Sequence, residues 1–570
     1  MNLDQVPDEN ALIASLTTSS PEWRRSAALR YSGPAARVAV MPLRWWLAAA
    51  AMLLLAAGLG VWWFLLRLSG PEQLLARAYT ESRPFEYRLP DSGYAPVRVR
   101  RSAAGSAFDH PAALTRAVEQ IQRKLASEGE STQSLLLRGR AELIENDYQD
   151  AIASLERSNQ LKPADPAILT DLACAYALRG GAEKHSADYG HAADLLSRSL
   201  RIDSTQKRAV FNLALVYGNL GLLDEAIESW DRYLRLDPSG PWAEEARKAK
   251  AELERTRARR KSLMSLPRDP HAFLARLRTA PADLDPELYI DEFWVHWLPA
   301  VHDDRETRTA AEELGSILDL RLHDPSVRNA VSEAFDASAA VELRQLGQML
   351  SSSIQSENDA ALNAAVKLLP ALAAKRQSAA RLRAILELGY SYNRIGHLSD
   401  CLAVIHQGLN EAAERHYIWL SGYMTLQEIS CATGSGNFDA AIARSEALGR
   451  RARSEGLANL ALKARTLAVS AAAAGGNPSL AWNLGAEGLV RYWASEGSEF
   501  REQQLLHDLQ TASAELGWQE DSVVLARATV RAAQRATHDS GGVMEALDRV
   551  ELSSWLDETG RNAEAVRQLD

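Results

Sequence analysis

Three groups of side chains in this sequence have the right types for chemistry. His185, Asp188 and His191 could be drawn as ligands of a divalent cation, and His296, His302, Asp303 and Asp304 form a second His/Asp group. Cys401 and His406 could supply a thiolate and its base. None passes a physical test. Metal ligands need fixed geometry and a supporting shell, and the first group surrounds an enlarged turn, "GGAEKHSADYG", where solvated side chains are expected. The second lies among Trp294, Trp297 and Pro299, so packing and helix ends account for it. A Cys–His nucleophile needs both groups within hydrogen-bond reach, and a spacing of five does not place residues on one helical face. No GxxxxGK[ST], HExxH or GxSxG pattern occurs, nor a Gly-rich strand-to-helix turn suited to a dinucleotide. The expectation is a non-enzyme with no catalytic, metal-binding or cofactor-binding residues and no small-molecule substrate.

Bulk properties narrow the classes further. A net charge of -10 argues against a general nucleic-acid binder. The 3 cysteines, Cys174, Cys401 and Cys431, are scattered and make no CxxC pair, so neither a zinc ribbon nor a disulfide scaffold is indicated. Each falls in a helical pattern among small and apolar neighbours and reads as a buried small hydrophobe. At 570 residues the chain is too long for one compact core, so several domains or a repeat array are expected.

The elements that would position any site begin with "RWWLAAAAMLLLAAGLGVWWFLLR", Arg44–Arg67. Its uncharged part, Trp45–Leu66, would span about 33 Å as a helix against a hydrocarbon core of ~30 Å. Trp45, Trp46, Trp62 and Trp63 mark both ends, as headgroup layers favour. The stretch starts later and runs longer than a secretory signal, and predicts a single transmembrane helix at 44–67 in contact with the lipid bilayer. Arg24, Arg25, Arg30, Arg37 and Arg44 outnumber Arg67, Arg77 and Arg83, which places the tail in the cytoplasm and the bulk of the chain on the opposite side of the cell membrane. Ala56 and Gly60 form a small-xxx-small pair that would allow a homodimer. After the span, Phe85, Tyr87 and Leu89 alternate with charged residues, Pro90–Gly93 makes a turn, and Val97 and Val99 alternate again. That is a β-hairpin signal.

From Pro111 the pattern is helical and repeats. Ala151 and Ala226 each precede a large apolar residue by four positions (Leu155, Trp230) and a proline by twelve (Pro163, Pro238). Ala192, Leu196 and Ser204 take the same offsets between them, and Gly139, Ala173 and Ala214 mark the preceding helices. This resembles the tetratricopeptide repeat, in which small residues sit where two helices of a hairpin cross and proline ends the second. Ala151 and Ala226 are 75 residues apart, which places an extra seven in the middle unit, between Gly180 and Tyr189. The register opens at Thr132, Pro166 and Lys207 and puts Leu136, Arg140, Thr170, Cys174, Phe211, Leu215 and Asn219 on the groove. Stacked repeats commonly receive a protein or peptide ligand there, and Arg140→Glu should then weaken binding without altering the fold. A second array recurs at about 40 residues, marked by "LSDCLAVIHQGL", "FDAAIARSEAL" and "PSLAWNLGAEGL".

The order of features adds a wider resemblance. "SPEWRR", the Trp-flanked span, "EQLLARAYTESRPFEYRLPDSGYAPVRVRR" and repeats ending "RYLRLDPSGPWAEEARKAKAELER" look like the N-terminal part of a bacterial family. Its members set membrane-tethered tetratricopeptide repeats before a caspase-like CHAT peptidase domain. The resemblance is close over residues 20–260 and only architectural beyond. That peptidase requires a histidine and a cysteine on an α/β core after the repeats. Here the chain stays helical and no cysteine follows Cys431, so no catalytic residue carries over.

The fold class expected is all-α: a single transmembrane helix, a small β-hairpin, then a tetratricopeptide-type α-solenoid in two arrays. The divisions are a polar tail (1–43), the span (44–67), a linker with the hairpin (68–110), repeats with a capping helix (111–262), an irregular helical connector (263–336) and the second array (337–570). The function expected is a membrane-anchored scaffold binding a protein partner in its groove. The alternative is the regulatory part of a membrane-tethered CHAT-type cysteine peptidase whose catalytic domain lies beyond residue 570, the last helical pattern stopping abruptly at Asp570.

Overall fold

Helix boundaries in the first array follow from local capping chemistry. In the computed structural model, which describes residues 70–97, 111–281, 284–354, 358–434, 436–494, 499–540 and 543–569, a leading pair of helices, α1 (Pro71–Ser82) and α2 (Ala112–Glu128), precedes three hairpins. These are α3 (Thr132–Glu145) with α4 (Tyr148–Leu161), α5 (Pro166–Glu183) with α6 (Ser186–Ile202), and α7 (Lys207–Leu220) with α8 (Leu223–Leu236). Ser131 and Ser134 make a reciprocal capping box at α3, and Asn146 closes that helix in the left-handed conformation. At α5, Asp165 Oδ1 accepts the Ala167 N–H at 2.8 Å, with Pro166 in the first turn. The hairpins cross closely at small residues. A Cβ on Gly139 would stand 2.5 Å from the Leu155 side chain. A charged helix, α9 (Pro241–Met264), covers the third hairpin, where Phe211 packs edge-on against Trp230, Tyr233 and Trp242 at 4.9–5.3 Å.

The seven added residues of the middle unit do not form a mobile turn. They lengthen both helices, α5 to 18 residues against 14 in α3 and α7, and α6 to 17 against 14 in α4. The added residues open α6, and just beyond them Trp482 and Trp518 of the second array close over Gly190.

Two further expectations need correction. Among the described residues there is neither a strand nor a β-hairpin; residues 83–97 are an extended coil with one turn at Pro90–Asp91, and Val99 of the expected second strand lies outside them. The alternation is genuine, since Phe85, Tyr87 and Leu89 are all buried. Their backbone, however, finds its partners on helices: Tyr79 Oη donates to the Tyr87 carbonyl at 2.6 Å and Gly93 N–H donates to Thr80 Oγ1 at 2.9 Å. Nor does the expectation of a single-pass membrane protein stand. No helix among the described residues is long and apolar enough to cross a membrane, and residues 44–67 lie outside them. The longest helix among the described residues, α9, is dense in Glu, Lys and Arg. The bilayer partner and the homodimer through Ala56 and Gly60 rested on that span.

The connector comprises α10 (Pro270–Thr279), α11 (Glu287–Glu292, widening through Phe293–Trp297), α12 (Arg305–Leu322) and α13 (Ser326–Ala334). The second array follows as α14 (Ala340–Ile354), α15 (Asn358–Ala374), α16 (Ser378–Arg394), α17 (Leu398–Glu414), α18 (Ile418–Thr433), α19 (Phe438–Ser454), α20 (Ala458–Ala474), α21 (Pro478–Ala494), α22 (Glu499–Glu515), α23 (Gln519–Ser540), α24 (Val543–Glu558) and α25 (Asn562–Leu569). Cys401 of α17 and Cys431 of α18 are joined by a disulfide, which their spacing had not suggested, while Cys174 is free and buried.

The connector acts as a capping rail. Helices α16, α18 and α20 start at Ser378, Ile418 and Ala458, and each has orphan N–H groups at its first turn. Glu333 accepts from Ala379 N at 3.0 Å, Asp324 from Trp419 N at 2.6 Å, and Glu287 from Asn459 N and Leu460 N at 2.9 and 3.1 Å. Burial pushes all three carboxyls up, Glu287 to about 7, against the downward pull of those N–H donors. A carboxyl raised above its unfolded value favours the fold most below the unfolded pKa, and that contribution is lost as pH rises through the folded one. The contribution of Glu287 should therefore fall between about pH 4.5 and 7, by on the order of 3 kcal/mol. Thermal melts across that window should show the decline in the wild type and a flatter profile in Glu287→Gln. An identical slope in the two would show that Glu287 does not titrate there.

Candidate functional site

Of the groove residues expected in the first array, most serve the array itself. Leu136 and Phe211 are buried, and Leu215 is half-buried against the same core. Thr170 is fully buried; its hydroxyl lies 2.7 Å from the Pro166 carbonyl, 2.8 Å from Gln206 Oε1 and 3.0 Å from Ser199 Oγ. Arg140 Nε donates to Asp171 Oδ2 at 2.6 Å, and Arg208 holds the other oxygen of that buried carboxylate. Asn219 alone is exposed, and its amide donates to Tyr87 Oη at 3.2 Å. The face made by these first helices already carries the chain's own residues 83–94.

Most of the His/Asp and Cys/His side chains are likewise engaged within the protein, although His302 keeps a buried Nε2 without a partner. Arg179 holds Asp188 with two bonds of 2.7 and 2.8 Å, and His191 lies between the rings of Tyr176 and Trp518. His296 is exposed and 3.9 Å from Glu292. His406 pairs with Glu428 at 2.9 Å, remote in function from the disulfide-bonded Cys401. Among the described residues His507, Asp548 and Glu551 could converge on a cation, but each is satisfied by protein. His507 faces Glu551 at 3.4 Å, while Gln503 and Gln510 donate to the two carboxylates at 2.7 Å.

One recess lies on the second array. A cavity of about 240 Å³ is bounded by α14, α16, α18, α20, α22 and the connector. Tyr390, Trp419, Tyr423 and Leu426 supply its apolar wall, and Arg383, Arg394, Lys463 and Arg501 supply cations against Asp291 and Glu387. Arg383 and Glu387 pair at 3.1 Å. Among the described residues the other three cations have no carboxylate within ion-pair distance. Lys463 Nζ stands 4.5 Å from the centre of the Tyr423 ring. Arg501 donates to Gln504 at 2.8 Å and leaves a buried Nε without a partner. Arg394 donates to Asn358 at 2.8 Å and to the Ser353 carbonyl at 3.1 Å.

Electrostatics agree with that count. Burial alone would push the Tyr390 phenol up, although 37% of the residue still meets solvent, but Arg501, Lys463 and Arg394 together bring it below its ordinary value. Burial lowers Lys463, with Asp291 the main anion pulling the other way. The recess is a site of positive potential with an aromatic wall, suited to a carboxylate beside an apolar group. None of these residues stood out in the sequence by type. Arg383, Tyr423 and Lys463 do recur at intervals of 40, one per first helix, and that spacing was the available signal.

Comparison with known proteins bears on the fold. The tetratricopeptide repeat family model matches residues 207–239, the α7–α8 hairpin, and the chain carries a tetratricopeptide-repeat region of a scaffold type. Among solved structures the chain is similar to the P58(IPK) TPR domain, with 13% identity over 75% of this chain and 99% of that one and a TM-score of 0.22. It is also similar to yeast Tom70, with 13% identity over 77% of this chain and 90% of that one and a TM-score of 0.30. No curated protein matches. The CHAT part of the resemblance has no counterpart in these findings.

Proposed function

We propose that the protein is an interaction scaffold whose second array receives an acidic segment of a protein partner, an aromatic or aliphatic residue of that segment packing on Tyr390 and Leu426. The observation that supports this reading is the set of Arg394, Lys463 and Arg501, which face one recess with no carboxylate partner among the described residues. Charges on preformed helices need no ordering when a ligand arrives, so its carboxylates recover their solvation cost at once.

The test is the affinity of matched fluorescent peptides that share one aromatic residue and differ only in acidic or basic content. Acidic peptides should bind, more weakly as salt rises, and Arg394→Glu or Lys463→Met should cost about tenfold or more, equivalent to ~1.4 kcal/mol. Equal binding of acidic and basic peptides, or no loss in either variant, would overturn the reading.

A further inference from the structure

The recess of the second array is cationic and open, whereas the surface of the first array where α7 and α8 meet α9 is acidic, aromatic and filled. Its occupant is residues 83–94 of the same chain. Arg83 is fully buried; its guanidinium makes a fork to Glu245 of α9 at 2.5 and 2.7 Å and lies 4.4 Å from the Trp242 ring. Arg88 lies 4.5 Å from the same ring, donates to Tyr233 Oη at 2.6 Å and faces Asp237 at 3.6 Å. Phe85 and Tyr87, between these arginines, and Leu89, just after the second, are buried.

The backbone is read as well. One side chain, Asn212 of α7, accepts the Arg88 N–H at 2.8 Å and donates to the Arg88 carbonyl at 3.2 Å. An extended strand without a sheet partner leaves both groups free, and a carboxamide offers one acceptor and two donors. The segment has no helix or strand of its own, and it is held by side-chain pockets, a backbone clamp and ion pairs. Those are the means by which a folded surface recognises an extended peptide. The receiving residues Asn212, Asn219, Trp242 and Glu245 all stand on helices whose packing is supplied by the repeats.

From this geometry we propose that the first array's groove is a receptor for an extended Arg-x-Phe-x-Tyr-Arg-Leu segment, occupied in cis by Arg83–Leu89, and that a separate segment of the same pattern exchanges with it. The inference is independent of the acidic ligand proposed for the second array. A tethered ligand competes at an effective concentration in the millimolar range, so an added peptide meets a filled site until the cis contacts weaken.

The experiment uses the full chain and a labelled peptide of residues 83–97. Wild type should show no saturable binding at about 100 µM peptide, well below that tethered concentration. The variant with Tyr87→Ala and Arg88→Ala should bind it saturably, and adding Asn212→Leu should abolish the binding. A folded double variant that fails to bind would overturn the proposal. Hydrogen exchange on the wild type decides the case if that variant does not fold. Amides of residues 85–89 should exchange about 100-fold faster than those of α3 and α7, through an opening that leaves the helices protected. Protection equal to that of the helices would mark the segment as fixed core and refute exchange.

Discussion

Arg140→Glu is expected to destabilise the first array by about 3–5 kcal/mol, the usual cost of breaking a buried ion pair. Arg140 of α3, Asp171 of α5 and Arg208 of α7 form a triad that links three successive first helices, and Asp171 is wholly buried. The substitution sets a second carboxylate against Asp171 and leaves Arg208 as its only cation. Groove placement from the repeat register had suggested a ligand contact whose reversal would spare the fold. The structure makes Arg140 a tie between units instead. Thermal or urea melts of the full chain decide between these, and an unchanged midpoint would restore the ligand reading. Replacing all three triad members with apolar residues should cost far less, because no charge is left stranded.

The second large effect is expected at the contact between the arrays. Trp482 of α21 is 1% exposed, donates its indole N–H to the Ser186 carbonyl at 3.0 Å and packs edge-on with Trp518 at 4.9 Å. Trp482→Ala should cost about 3–5 kcal/mol. Gly190→Val should act in the same direction from the other side, because a Cβ there would stand 2.4–2.6 Å from the two indoles. The ion pairs Arg201–Glu520 and Arg531–Glu225 flank the same contact. If the arrays separate, small-angle scattering will show a larger radius while helix content stays constant. A smaller melting shift with no change in radius would mean that the docking does not depend on the indole pair.

How much of this could be read from the residues depends on the kind of signal. Gly139, Ala151 and Pro163 report hairpin crossings and helix ends because those roles exclude most other residues, and α3, α5 and α7 open at Thr132, Pro166 and Lys207. The alternation of Phe85, Tyr87 and Leu89 told which side chains share a face, but not whether a strand or a helix row would pair with the backbone. Seven added residues were visible as length. Whether they formed a loop or an extra turn depended on Trp482 and Trp518, some 300 positions away. Arg383, Tyr423 and Lys463 share a repeat position, yet only the curvature of the stack decides that they meet in one recess. Cys401 and Cys431, 30 residues apart, lie on adjacent helices that no spacing rule identifies.

The capping rail has a consequence for the order in which the second array assembles. Its contacts join residues 46, 95 and 172 positions apart, and each encloses the one before, as rungs of a ladder do. Closing the outermost rung from an open chain would be the costliest step. With the inner rungs made, each new closure spans only about half the loop, and each halving spares roughly 0.6 kcal/mol. The connector is also synthesised before any helix it caps. Glu333 therefore meets its target first, Asp324 next and Glu287 last, so the array zips outward from its earliest helix, and a fault at the innermost rung delays every rung that follows.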